Sequence, residues 1–190
     1  MKGAGIASAI AFASLLSSRI SQRGKILFVA PDRSFYPLGL LPYDVKLEQW
    51  IQVSARRSKD LAWAVLEAIR CPQVSAVLAV MNGADLTFCR RLQLAAESSG
   101  ATGFLINTAD SSPVASAITR WRISSIKGPA GRGFGEVFWK LELLYCRGGR
   151  PGKWMVAWRH GRLEPLAALS EVPTRPIQRV QLPSQTILAG

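Results

Sequence analysis

Arg147, Arg150 and Lys153 recur every third residue in Arg147-Gly-Gly-Arg-Pro-Gly-Lys153. Polyanion binding is the chemistry such a cluster offers, because Lys and Arg displace the counterions condensed on a phosphate backbone. Rings flank the cations. Trp139, Leu141, Leu143 and Tyr145 come before them, and Trp154, Val156 and Trp158 after, at alternate positions. Alternation with period two places such residues on one face of an extended strand, and the glycines and proline between the two runs make a turn. The element that positions the cations is therefore an antiparallel hairpin over 139–160, with an aromatic face and a basic tip carrying all three. Two readings stand for it. Either the rings pack a core and the cations are solvated, or rings stack on bases while cations meet phosphates. Lys140 and Arg159, on the strands, join Arg147, Arg150 and Lys153 as candidate phosphate contacts.

The charge of the whole chain agrees with a polyanionic partner. Its 190 residues carry a formal net charge of +12. Residues 1–118 hold 12 basic and 8 acidic side chains, whereas residues 119–190 hold 12 and 4, so the excess concentrates around the hairpin. Such a field favours nucleic acid or an acidic protein surface. With 48% hydrophobic and 19% charged residues, the composition is that of a folded domain. Cys71, Cys89 and Cys146 make no Cys-x-x-Cys spacing and have a single histidine, His160, to join them. Neither a zinc site nor a disulfide framework is expected; each thiol is expected to be buried, in a reducing cytoplasm.

No constellation for catalysis stands out. The sequence has no GxxxxGK[ST] phosphate loop, no GxSxG elbow and no HExxH helix. Gly3-Ala-Gly5 opens a helix but lacks the Lys-Ser/Thr pair of a phosphate site. Asp32 and Asp85 follow strands, and a solvated loop acid and a helix N-cap are the roles set against catalysis for them. No catalytic, cofactor or metal set is assigned, and His160 reads as structural.

The surrounding elements follow from periodicity. Ala4–Leu16 is an apolar, small-residue run with one preceding charge, too short to span a bilayer, and it reads as a helix packed on a sheet. Lys25–Ala30, Trp50–Ser54, Val74–Val80 and Thr102–Ile106 read as strands. Lys59–Arg70 reads as a helix capped by Ser58, with Leu61, Val65, Leu66 and Ile69 as its stripe. Asp85–Ser99 reads as another, with Leu86, Leu92, Leu94 and Ala95 inward and Gly100 at its end. Residues 107–117 and 128–135 are loops, 118–127 is a further element, and the proline-containing tail 165–190 is extended or disordered. Strands alternating with helices, then a run of strands, give an α/β fold with a mainly parallel sheet flanked by helices and a C-terminal antiparallel hairpin.

That order resembles the core of RecA-type ATPases, entered after the phosphate-loop position. More specifically, Phe35-Tyr-Pro37, Leu61-Ala-Trp-Ala-Val-Leu-Glu-Ala68, Arg90-Arg-Leu-Gln-Leu-Ala-Ala-Glu97, Gly103-Phe-Leu105 and the turn Arg147-Gly-Gly-Arg-Pro-Gly152 resemble the ImuA family. These are error-prone DNA repair proteins, RecA-like relatives of the cell-division inhibitor SulA. The resemblance covers roughly 25–160 and implies a RecA-like domain over 1–164 lacking the phosphate-loop segment, with an N-terminally shortened start. It also implies a non-catalytic, cytoplasmic accessory of translesion synthesis, with no cofactor and no membrane contact. The implied partners are RecA, an error-prone replicative-type polymerase and a Y-family-like polymerase subunit; the basic C-terminal third adds DNA as a candidate partner. RecA-type enzymes end their third strand with a magnesium-organising acid, and Val80-Met-Asn82 has none; Asp32 stands near where they place a glutamate. Arg90 and Arg91 are candidates for a partner surface, with a solvated helix face as the alternative. A SulA-like inhibitor of a tubulin-like division protein is the alternative function.

Overall fold

Val74-Ser-Ala-Val-Leu-Ala-Val-Met81 contains a single polar side chain, so as a strand it needs cover on both faces. The computed structural model describes residues 3–20, 24–33, 35–107, 117–128, 136–159 and 161–166. In it this run is an interior strand, β3 (Val74–Met81), of a parallel four-stranded sheet. The other members are β1 (Lys25–Ala30), β2 (Trp50–Ser54) and β4 (Thr102–Asn107), in the order β2-β1-β3-β4. All four expected strands are present, each within one residue of its expected bounds.

Two helices cover one face of this sheet. The stripe of α2 (Ser58–Arg70) is the expected one, with Leu61, Val65, Leu66 and Ile69 all buried. Its cap is not: Ser58 is already the first helical residue, and the N-cap is Arg57, which makes no side-chain cap. In α3 (Leu86–Ser99) the inward residues are Phe88, Cys89, Leu92 and Ala95, while Leu86 and Leu94 are exposed. Spacings of one, three and three residues define the buried stripe, and Leu86 and Leu94 fall on the opposite side of a 3.6-residue turn. Asp85 is the N-cap, its Oδ1 accepting from the Phe88 N–H at 2.6 Å, and Gly100 closes the helix at φ +75°.

The other face of the parallel sheet is covered by α1 (Gly3–Ile20), the expected N-terminal helix. Ala76, Leu78 and Val80 of β3 meet Ile10 and Ala13 there, while Val77 and Ala79 face α2 and α3. The opposite side of α1 is buried as well. Ala11, Phe12 and Leu15 pack on a second sheet with Trp139, Leu141, Val156 and Trp158. A helix apolar all round must be covered all round, and α1 meets that requirement between two sheets. Three of its serines sit inside: Ser17 donates to the Ala13 carbonyl at 2.7 Å, Ser8 Oγ lies 2.6 Å from Ser125 Oγ, and Ser14 Oγ is buried without a hydrogen-bond partner.

The second sheet enlarges the expected hairpin. β6 (Val137–Cys146) and β7 (Gly152–Arg159) form it, with β5 (Thr119–Ser125) and β8 (Arg162–Pro165) added on either side. The order is β5-β6-β7-β8, antiparallel throughout. The layers therefore run α2/α3, parallel sheet, α1, antiparallel sheet. Among the described residues no helix is long and apolar enough to cross a membrane. Of the thiols, Cys89 is buried as expected and held above the usual thiol range by burial and then by the charge of Asp85. Cys71 is exposed, against expectation, because it is the C-cap of α2. The readings made for His160, the loops at 108–116 and 129–135, and the tail 167–190 lie outside the described residues.

Candidate nucleic-acid interface

The hairpin register sorts its side chains into two unlike faces. Leu141 pairs with Trp154, Trp139 with Val156 and Leu143 with Gly152, so the expected aromatic set does share one side. That side is not uniform. Trp139 and Trp158 are 0% and 3% exposed, whereas Trp121, Tyr145 and Trp154 are 37%, 42% and 46% exposed. Helix α1 and Tyr43 account for the division. Tyr43 stacks on Trp139 at 5.7 Å, and the Trp158 indole N–H donates to the Pro42 carbonyl at 2.6 Å. Toward the turn this cover ends, and the rings meet water.

The exposed rings are held in place from below and beside. Trp121 lies 5.8 Å from Phe12 of α1 and 5.8 Å from Trp154. Trp154 lies over Gly152, where an added Cβ would come within 2.5 Å of the indole; glycine is needed there for a close approach. A bulge between Arg120 and Trp121 sets them opposite Tyr145 and Leu143, two residues of the same face. A bulge re-aims side chains in this way, and here it adds a cation beside the rings. The sequence reading missed Trp121; its signal was the Arg-Trp-Arg-Ile alternation of β5.

The turn projects beyond the sheet. Arg147 N–H donates to the Ile118 carbonyl at 2.8 Å, and Gly148 has φ +74°, a conformation few other residues accept. Arg147 and Arg150 are exposed and make no ion pair among the described residues.

The remaining candidates have other engagements. Lys153 is a strand residue of β7 rather than part of the tip. Its Nζ lies 3.4 Å from Glu142 Oε1, and Lys140 Nζ lies 3.2 Å from the same oxygen. Burial opposes the charge on Glu142, yet hydrogen bonds and charge from Lys140 and then Lys153 offset it, so the carboxyl is held below the usual range. Arg159 Nε lies 3.0 Å from Glu136 Oε2, close enough for charge pairing though not aligned as a hydrogen bond, and its guanidinium sits 5.1 Å over the Phe138 ring. Lys140, Lys153 and Arg159 thus belong to the polar face of the sheet, on the side opposite the rings.

Arg90 and Arg91 are exposed on α3 beside exposed Leu86 and Leu94. They lie on the far side of the molecule from the hairpin, with the parallel sheet and α1 between.

The fold is α/β: a parallel sheet covered by helices on both faces, with an antiparallel sheet packed beyond the shared helix. No family model matches the chain. It is 32% identical over 165 residues to "Protein ImuA" of Caulobacter vibrioides strain NA1000 / CB15N, covering 79% of this chain and 68% of that protein. The same values hold for "Protein ImuA" of the strain ATCC 19089 / CIP 103742 / CB 15. The chain belongs to the ImuA family. Among solved structures, SulA from Pseudomonas aeruginosa aligns with a TM-score of 0.45 at 16% identity, over 52% of this chain and 85% of that one.

Proposed function

We propose that this protein is a non-catalytic accessory of damage-induced, error-prone DNA synthesis in the cytoplasm. It works by contact, with RecA, with a Y-family-like polymerase subunit and with DNA. Membership of the ImuA family, on an alignment spanning 68% of a 32% identical relative, is the observation that carries this reading. The layered fold supports a division of labour. Arg90 and Arg91 on the outer helix face the protein partners, and the antiparallel sheet on the other side faces DNA.

Within the candidate phosphate contacts, the ion pairs rank the roles. Among the described residues Arg147 and Arg150 make no ion pair, whereas Lys140, Lys153 and Arg159 already neutralise Glu142 and Glu136. The test is genetic and biochemical together. Deleting the gene lowers mutation frequency after DNA damage, and the tagged full chain captures RecA and the polymerase-like subunit. An R90E/R91E variant loses that capture while its melting temperature holds. Unchanged damage-induced mutation in the deletion strain overturns the proposal.

A further inference from the structure

Six residues gather at the uncovered end of the antiparallel sheet: Trp121, Tyr145 and Trp154 on its ring face, Arg120 on the same face, and Arg147 and Arg150 in the adjoining turn. We propose that this surface is a stacking platform for single-stranded nucleic acid, with bases on the rings and phosphates on the arginines. The proposal rests on the reading of the turn as a phosphate-contacting element and goes beyond it, since the rings would read unpaired bases.

Three observations favour this ligand. The rings are pre-set rather than loose. Phe12 backs Trp121, Gly152 seats Trp154, and the two indoles brace one another at 5.8 Å. Ordering costs that a mobile ring would pay on binding are already met. Charge is the second. The three acids of this sheet's described residues, Glu136, Glu142 and Glu164, all sit with the opposite face: Glu142 pairs across strands with Lys153, Glu164 with Ala157, and Glu136 with the Arg159 guanidinium. Among the described residues of the sheet, the ring face therefore presents cations with no acid among them, which suits a polyanion. Shape is the third. The rings stand on a pleated sheet beside a projecting turn, and a single strand can lay successive bases on them while its backbone follows the arginines. In a duplex the base faces are already stacked, so a duplex reaches only the cations.

The test measures fluorescence anisotropy of labelled oligothymidylate and of a duplex of equal length, titrated with the full chain over a salt series. Tighter binding of the single strand is expected. Trp154→Ala weakens it by about 5- to 100-fold, Trp154→Phe restores most of it, and duplex binding does not move. R147Q/R150Q instead lowers the single-strand salt slope by about 1.4, which Trp154→Ala leaves alone. Equal affinity for duplex and single strand overturns the platform. So does a neutral Trp154→Ala joined to a neutral Trp121→Ala, or no binding at low salt. Loss of polymerase-subunit capture in Trp154→Ala, with strand binding intact, also overturns it and makes the face a protein-docking surface. The accessory role is read separately, from mutation frequency and RecA capture, so a chain that stacks on single strands yet leaves mutagenesis unchanged keeps the platform and loses the role.

Discussion

Two halves of one sheet face carry the same residue types and do different things. Trp139 and Trp158 are closed over by α1 and Tyr43; Trp121, Trp154 and Tyr145, nearer the turn on the same sheet face, are open. Alternation along β6 and β7 assigns all but Trp121 to one side, and it does so correctly. It cannot say where the cover stops. A ring's role here is set by what lies above it, and that is decided by the length and placement of a helix more than a hundred residues away in sequence.

The widest separation between the halves should come from truncating one ring in each. Trp139→Ala is expected to cost about 3–5 kcal/mol, as for a large aromatic removed from a closed core. Trp154→Ala should lose little beyond its pairing with Trp121, about 0.5–1.5 kcal/mol. Urea midpoints with equal slopes would measure both, and comparable losses would break the distinction. Next in size is Ser14→Leu, which inserts bulk at a fully buried position of α1 and is expected to cost about 1–3 kcal/mol. Ser14→Ala, removing a buried hydroxyl with no partner, should be neutral or stabilising.

A smaller effect belongs to the polar side of the sheet. The Glu142 carboxyl is held below the usual range, so the folded state binds its proton less readily than the unfolded one. Its contribution is then complete above the unfolded value of about 4.3 and is lost as pH falls through the depressed folded value. The wild type should accordingly lose stability on acidification more steeply than Glu142→Gln, as followed by denaturant melts across an acid series. Smallest of all, R147Q/R150Q should change stability by less than about 0.5 kcal/mol, because both side chains are exposed and unpaired within the described structure. A larger loss would mean that the turn belongs to the fold rather than to a ligand.

Much of the fold was legible because apolar runs of four to eight residues bounded by turn residues have few alternatives to buried strands. Lys25–Ala30 and Trp50–Ser54 fall where the runs place them. β8 left no such trace: its four residues are all exposed, so no alternation marks it. Leu86 and Leu94 misled because helix leucines are inward on average, and only the Phe88–Cys89–Leu92–Ala95 spacing shows which side of α3 faces the sheet. At the site, the basic turn could be read from glycine, proline and charge. The engagement of Lys153 by Glu142 could not, since it depends on the cross-strand register that pairs residue 142 with residue 153. Trp121 shares the ring face with Ile123 by simple alternation; what the pattern hides is Arg120, which a bulge turns to the same face.

Helix α1 serves as a lining common to both sheets, and this bears on how the molecule comes apart. Neither sheet has a private core on that side: Ile10 and Ala13 belong to one, Phe12 and Leu15 to the other, and they interleave along a single helix. Losing the helix strips both at once. Opening that reaches the amides of β3 should therefore reach those of β6 at the same free energy, making one cooperative unit of two separate sheets.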